Sequence, residues 1–159
     1  MLRPGKRTQL IMSDHRVTLN WNRNGHTFGY KEYSRDHALD FGHGVAIQAS
    51  AAAEYLGTAE LPDPEQAYVG SLSSCHMLTF LAFCSLQKLP LESYTDEALG
   101  FLEKGENGKP VLARVELHPK TTFAEGIEVS PEKLAELHHQ AHQECFLANS
   151  VKTEISTIL

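Results

Sequence analysis

The stretch that most constrains this chain is DPEQAYVGSLSSCHMLTFLAFCSL, residues 63–86. Asp63 suits an N-cap, Pro64 the first helical position, and Gln66 the place where a capping box takes Glu or Gln. Val69, Leu72, Leu78, Leu81, Phe83 and Leu86, with Ala67, Phe80 and Ala82, spread apolar side chains around most of the circumference. That pattern predicts a helix over about 64–88, largely buried and acting as the spine of the fold. Cys75 stands in its middle among Ser71, Ser73, Ser74 and His76, with Ser71 and Thr79 four residues away on the same face. A mid-helix cysteine is ordinarily one more small hydrophobe. Here its polar neighbours predict a face that meets polar groups rather than core.

Around this spine the pattern is α+β. Val17, Leu19 and Trp21, then Phe28 and Tyr30, alternate weakly about the turn Asn22-Arg23-Asn24-Gly25, which predicts strands near 15–22, 26–33 and 37–42. Residues 42–62 are rich in Ala, Gly and Ser and read as a loop with a helical turn, either a lid or a connection. Beyond Pro90, strands over about 92–104 and 110–123 form a hairpin about Glu106-Asn107-Gly108-Lys109. Ser130 and Pro131 open a second helix that runs to about Cys145, and residues 151–158 alternate as a closing strand. The order βββ-α-ββ-α-β shows no internal repeat.

A chain of 159 residues fits one domain, 1–159. The net charge is −6 and the fourteen basic residues form no stripe, which argues against a nucleic-acid partner. Ser73, Ser74, His76 and Ser85 break the most apolar run well short of a membrane span. The basic segment MLRPGKRTQLIM lacks the apolar run of a secretory signal, so a cytoplasmic protein is expected. Three cysteines in such a chain are expected to rest as thiols, any functional disulfide being transient.

Cys84 has apolar neighbours, Phe83 and Leu86, and reads as structural. His76 is adjacent to Cys75, and adjacent helical residues diverge by about 100°, which disfavours a Cys-His catalytic pair. In LHHQAHQEC, His138, His142 and Cys145 fall at i, i+4 and i+7 and share a stripe. A zinc-binding protein using these three is one alternative reading, although a structural site needs a fourth ligand.

The run DPEQAYVGSLSSCHMLTF resembles the motif of the OsmC/Ohr family, the osmotically inducible and organic-hydroperoxide-resistance proteins, in which Pro-Glu-(Gln/Glu) begins a central helix and a reactive cysteine follows ten residues after the Glu. Those residues are Glu65 and Cys75. AHQEC at 141–145 is similar to the run that carries the family's second cysteine, with Asn149 beyond it, and SYTDEALGFLEKGENGKPVLARVEL is similar to the family's middle strands. The resemblance covers nearly all of the chain beyond residue 14.

It implies an OsmC-like α+β fold, with antiparallel sheets packed around long central helices in an intertwined homodimer, and thiol peroxidase activity toward organic hydroperoxides. No cofactor or metal is implied. The family's activating arginine is best matched by Arg35, with Arg23 the weaker match, and Glu65 would hold it in a bidentate pair. The guanidinium would favour the Cys75 thiolate. Attack on the peroxide would give Cys75 sulfenic acid, which Cys145 resolves to a disulfide. A dithiol such as dihydrolipoamide is the implied reductant. Ten residues of helix span about 15 Å, so Glu65 is expected to reach Cys75 only of a partner chain. Met77, Phe80, Phe83 and Phe146 are candidate pocket walls. Many members carry Pro after the second cysteine, whereas this chain has Phe146. The alternative from another class is a non-catalytic, small-ligand-binding dimer of the same fold.

Overall fold

The computed structural model describes residues 13–159, and the chain divides between Pro62 and Asp63 into two compact units. The reading of segment 1–12 lies outside the described residues.

The N-terminal unit holds a three-stranded antiparallel sheet in the order β1-β2-β3, with β1 at Thr18–Asn20, β2 at His37–Asp40 and β3 at Ala46–Ala49. The turn expected at 22–25 is present, with Asn24 and Gly25 at positive φ. The strand expected at 26–33 is not. Trp21, Phe28 and Tyr33 gather into one aromatic cluster, with centroids 5.4–6.5 Å apart. Trp21 Nε1 donates to Ser34 O at 2.7 Å, and the segment closes turns on Gly29 O instead of pairing. The strand that completes the sheet is β3, inside the segment expected to be loop. It is short and joined to β2 through Gly42, His43 and Gly44, all at positive φ. The rest of that segment carries the expected helical turn, a single 3₁₀ turn at Ala53–Tyr55. Asp36 accepts hydrogen bonds from Ser50 Oγ and Thr58 Oγ1, at 2.8 and 2.7 Å, and ties the connection down.

The C-terminal unit is built on α1, Pro64–Leu86. The predicted capping box is present: Asp63 Oδ1 accepts from Gln66 N at 2.7 Å, and Asp63 N donates to Gln66 Oε1 at 3.1 Å. Asp63→Ala is expected to lower stability by about 1 kcal/mol in urea denaturation, because one N-terminal amide loses its acceptor.

The expectation of a largely buried α1 is corrected. Leu72, His76, Phe80 and Cys84, spaced by four, form the buried stripe, while Leu78 and Leu86 are 60% and 78% exposed. The physical reason is that all the packing partners within the unit lie along one side. Phe80 and Cys84 meet Leu137 and Ala141 of the second helix α2 (Pro131–Glu144), and Leu72 meets Val115 and Leu117. By length and composition α1 is apolar enough to cross a membrane. Its buried stripe and the hydrogen bond from Ser73 Oγ to Asp96 fit the central helix of a packed core.

Each of the two long strands expected after Pro90 breaks in two. The first becomes β4 (Leu91–Asp96) and β5 (Leu99–Lys104), the second β6 (Pro110–Leu117) and β7 (Pro119–Phe123). The breaks face each other, and Asp96 Oδ1 accepts from His118 N at 2.7 Å across them. Two sheets result. β4 pairs antiparallel with β7, while β5 and β6 pair antiparallel about the predicted turn, with Gly108 at φ +78°. The closing strand β8, Glu154–Thr157, joins β6 in parallel. Gly100 of β5 lies so close to α1 that a Cβ there would stand 2.5 Å from Val69 Cγ2. The second helix begins as predicted, with Ser130 Oγ accepting from Lys133 N, and Cys145 is its C-cap.

Candidate active site

Cys75 projects from the middle of α1, half-buried, and Cys145 stands 1% exposed at the end of α2. Packing of the two helices brings their sulfurs together. The Cys145 thiol donates to Cys75 Sγ at 2.6 Å, with both cysteines as free thiols. A disulfide sulfur pair sits at about 2.05 Å, so very little movement separates this pair from a bond.

The turn beyond α2 is folded to present that thiol. Asn149 Nδ2 donates to Gln143 O at 2.7 Å and to Cys145 O at 3.1 Å, which satisfies carbonyls left open at the helix end. Ala148 N approaches Cys145 Sγ at 3.5 Å, and Ser150 Oγ donates to Phe146 O. Burial pushes the Cys145 pKa up, as does its hydrogen bond to Cys75. Cys145 is therefore held as the protonated partner, and its proton points at Cys75. This asymmetry leaves Cys75, the more exposed sulfur, as the one suited to nucleophilic attack.

An open groove of about 910 Å³ runs beside Cys75, lined chiefly by Leu78, Ala82, Phe83, Leu86, Phe146 and Leu147. The polar face expected around Cys75 is corrected here. Ser71 Oγ donates to Tyr68 O and Thr79 Oγ1 to Cys75 O, so these two hydroxyls bond their own helix, and the groove is mainly apolar with Ser74 and Glu144 also on its wall. Of the expected walls, Phe83 and Phe146 line it and Met77 does not, while Phe80 packs in the core. Phe146 is 83% exposed.

The remaining expected site residues are Glu65, Arg35 and Arg23. Glu65 lies in the first turn of α1, and the unbroken helix puts it about 15 Å from Cys75, as expected. It borders two open clefts, one with Tyr68 and Lys152, the other with Ser73 and Asp96. Arg35 belongs to the N-terminal unit, where it donates to Tyr30 O and Tyr33 O and lies 3.9 Å over the Tyr33 ring. Arg23 is exposed beside the turn at Asn24.

The histidine stripe is real in geometry but serves a different end. His138 turns to His76, whose Nε2 lies 3.0 Å from His138 Nδ1, the rings parallel and edge to edge with centroids 5.3 Å apart. The pKa of each is lowered from 6.5 to about 4, chiefly by burial; His142 contributes at His76, against the pull of Asp96, and His76 contributes at His138. Among the described residues no three metal-ligating side chains converge. The pair escaped the sequence reading, although the four-residue spacing of Leu72, His76, Phe80 and Cys84 signalled that His76 faces the core. Cys84 is buried there as expected, and burial raises its thiol pKa.

A family model described as OsmC-like protein matches residues 57–159. Among solved structures, an OsmC-like protein of unknown function from Vibrio cholerae is 40% identical, with a TM-score of 0.88 over 92% of this chain and 99% of that one. An organic hydroperoxide resistance protein from Legionella pneumophila is 16% identical, with a TM-score of 0.64 over 93% and 100% of the two chains. One from Bacillus subtilis is 18% identical, with a TM-score of 0.61 over 90% and 98%. No curated protein matches the sequence.

Proposed function

Because this chain belongs to the OsmC/Ohr family, some of whose folds are those of organic hydroperoxide resistance proteins, we propose that it is a cysteine-based peroxidase reducing organic hydroperoxides to alcohols. The observation that carries this reading is the placement of Cys145 Sγ 2.6 Å from Cys75 Sγ beside an apolar groove. An apolar groove favours the organic part of a hydroperoxide over water or hydrogen peroxide.

The chemistry runs in two steps. The Cys75 thiolate attacks one peroxide oxygen, the O–O bond breaks, and the alkoxide takes a proton to leave as alcohol, with Cys75 becoming the sulfenic acid. The Cys145 sulfur then displaces hydroxide from Cys75, and its proton leaves with that hydroxide as water, giving the Cys75–Cys145 disulfide. A dithiol reductant restores both thiols by exchange, passing two electrons and two protons. In this reading Arg35 stabilises the thiolate and Glu65 orients that arginine, both supplied by the opposite subunit of a homodimer. The length of α1 between Glu65 and Cys75 supports that assignment, as do the exposed Leu78 and Leu86. The setting proposed is the cytoplasmic response to oxidative stress.

The test is intact mass and thiol count of the reduced protein before and after one equivalent of cumene hydroperoxide. Loss of two thiols, with Cys75 and Cys145 joined in the peptide map, is expected. Thiols that survive the peroxide would favour the non-catalytic binding dimer.

A further inference from the structure

Among the described residues of the C-terminal unit, His76 and His138 are the buried polar side chains, each 2% exposed. Neither lines the groove, and the proposed reaction uses neither as acid or base. Their location ties them to it nonetheless. His76 directly follows Cys75, and His138 precedes Cys145 by two helical turns, about 10 Å of α2.

At the end of α1 Gln87 Nε2 donates to Gln140 Oε1 at a long 3.4 Å, and the other fully buried contacts between α1 and α2 are Phe80, Cys84, Leu137 and Ala141. Such apolar packing is non-directional and leaves a helix free to roll or slide by small amounts. A hydrogen bond between parallel rings lying edge to edge is directional and admits one register. The stakes follow from the lever: a swing of about 6° over about 10 Å of helix moves its end by about 1 Å. A displacement of that size between reacting atoms costs up to about 100-fold in rate or effective concentration.

As packing alone the pair is a poor solution. His138 Nε2 and Tyr94 Oη are buried with no hydrogen-bond partner among the described residues. Burying an unsatisfied polar atom costs about 1–3 kcal/mol, so apolar side chains in these places would hold the helices together at least as well. We propose that His76 and His138 are positioning residues: their edge-to-edge, hydrogen-bonded contact sets the register of α1 against α2 that brings Cys145 onto Cys75. The inference rests on the part of the proposed function that pairs these two cysteines.

The experiment is the equilibrium of the Cys75–Cys145 disulfide with dithiothreitol, read by thiol count and mass, together with urea denaturation. In this exchange two protein thiols are oxidised and cyclic oxidised dithiothreitol is reduced, so no peroxide takes part. The variant His76→Leu/His138→Leu is expected to shift the equilibrium about tenfold or more toward the dithiol, with an unchanged or higher urea midpoint. The variant His76→Gln/His138→Asn places amide groups near the lost ring nitrogens and is expected to stay within about threefold of wild type.

A leucine pair with wild-type equilibrium overturns the inference, as does an amide pair that loses as much as the leucine pair. If the leucine pair does not fold, the single variants His76→Leu and His138→Leu carry the same comparison. A protein inert to hydroperoxide that still shows the shift loses the peroxidase reading and keeps this one. A protein that turns over hydroperoxide with no shift does the reverse.

Discussion

Cys75→Ser is expected to abolish hydroperoxide reduction, lowering kcat/KM by on the order of 10³-fold or more, whereas Cys145→Ser is expected to perform one turnover and stop. The asymmetry comes from the two sulfurs' surroundings. Cys75 borders the groove, and a serine there has no thiolate to offer. Cys145 is buried, its pKa raised by that burial, and in the proposed reaction it enters only after the first step. Without it the Cys75 sulfenic acid persists, is trapped by a dione reagent, and under excess peroxide advances to the sulfinic acid. Stopped-flow consumption of cumene hydroperoxide with a dithiol reductant measures the first effect, and mass spectrometry the second. Equal steady-state turnover in Cys145→Ser and wild type would remove Cys145 from the reaction.

The second large effect is acid sensitivity of the fold. His76 and His138 each titrate at about 4 in the folded protein instead of 6.5, chiefly because burial disfavours the charged ring. Between these pH values the unfolded chain binds protons that the folded chain refuses. With respect to these rings the fold is at its full stability above pH 6.5 and loses stability as pH falls toward 4, because protons bind the unfolded chain first. A shift of this size corresponds to about 3 kcal/mol for one histidine of the pair. That is a large share of the 5–15 kcal/mol typical of a domain. Asp36, whose pKa is lowered from 3.8 by hydrogen bonds from Thr58 and Ser50, adds its own acid sensitivity only below that window. Urea midpoints measured from pH 7 to pH 4 are expected to fall steeply. The slope should flatten in His76→Leu/His138→Leu, and an equally steep fall in that variant would place the acid sensitivity elsewhere.

Much of this arrangement was legible in the chain. The box at Asp63 and Gln66, Pro64, Ser130 and Pro131 mark helix starts through local hydrogen bonds that need no distant partner. Gly108 marks the hairpin because its turn needs positive φ. Glu65, Cys75 and the run ending at Cys145 were legible as a motif. The errors fell where long-range packing overrides local pattern. Phe28 and Tyr30 alternate like a strand, yet an aromatic cluster with Trp21 and Tyr33 claims the segment. Ala46–Ala49 has no strand signature, yet β2 offers it an edge.

The sequence by itself determined the two helices and the central hairpin, because caps, turns and period are properties of neighbouring residues, while Cys75 and Cys145 were singled out by resemblance to a family motif. Only the tertiary structure decided that Cys75 and Cys145, seventy residues apart, meet at 2.6 Å. It also decided that the Ser71 and Thr79 hydroxyls turn to their own helix while Ser73 reaches Asp96, and that His138 faces His76. These outcomes depend on how α2 docks on α1, and that docking is set by shape and hydrogen-bond geometry between residues that no local pattern connects.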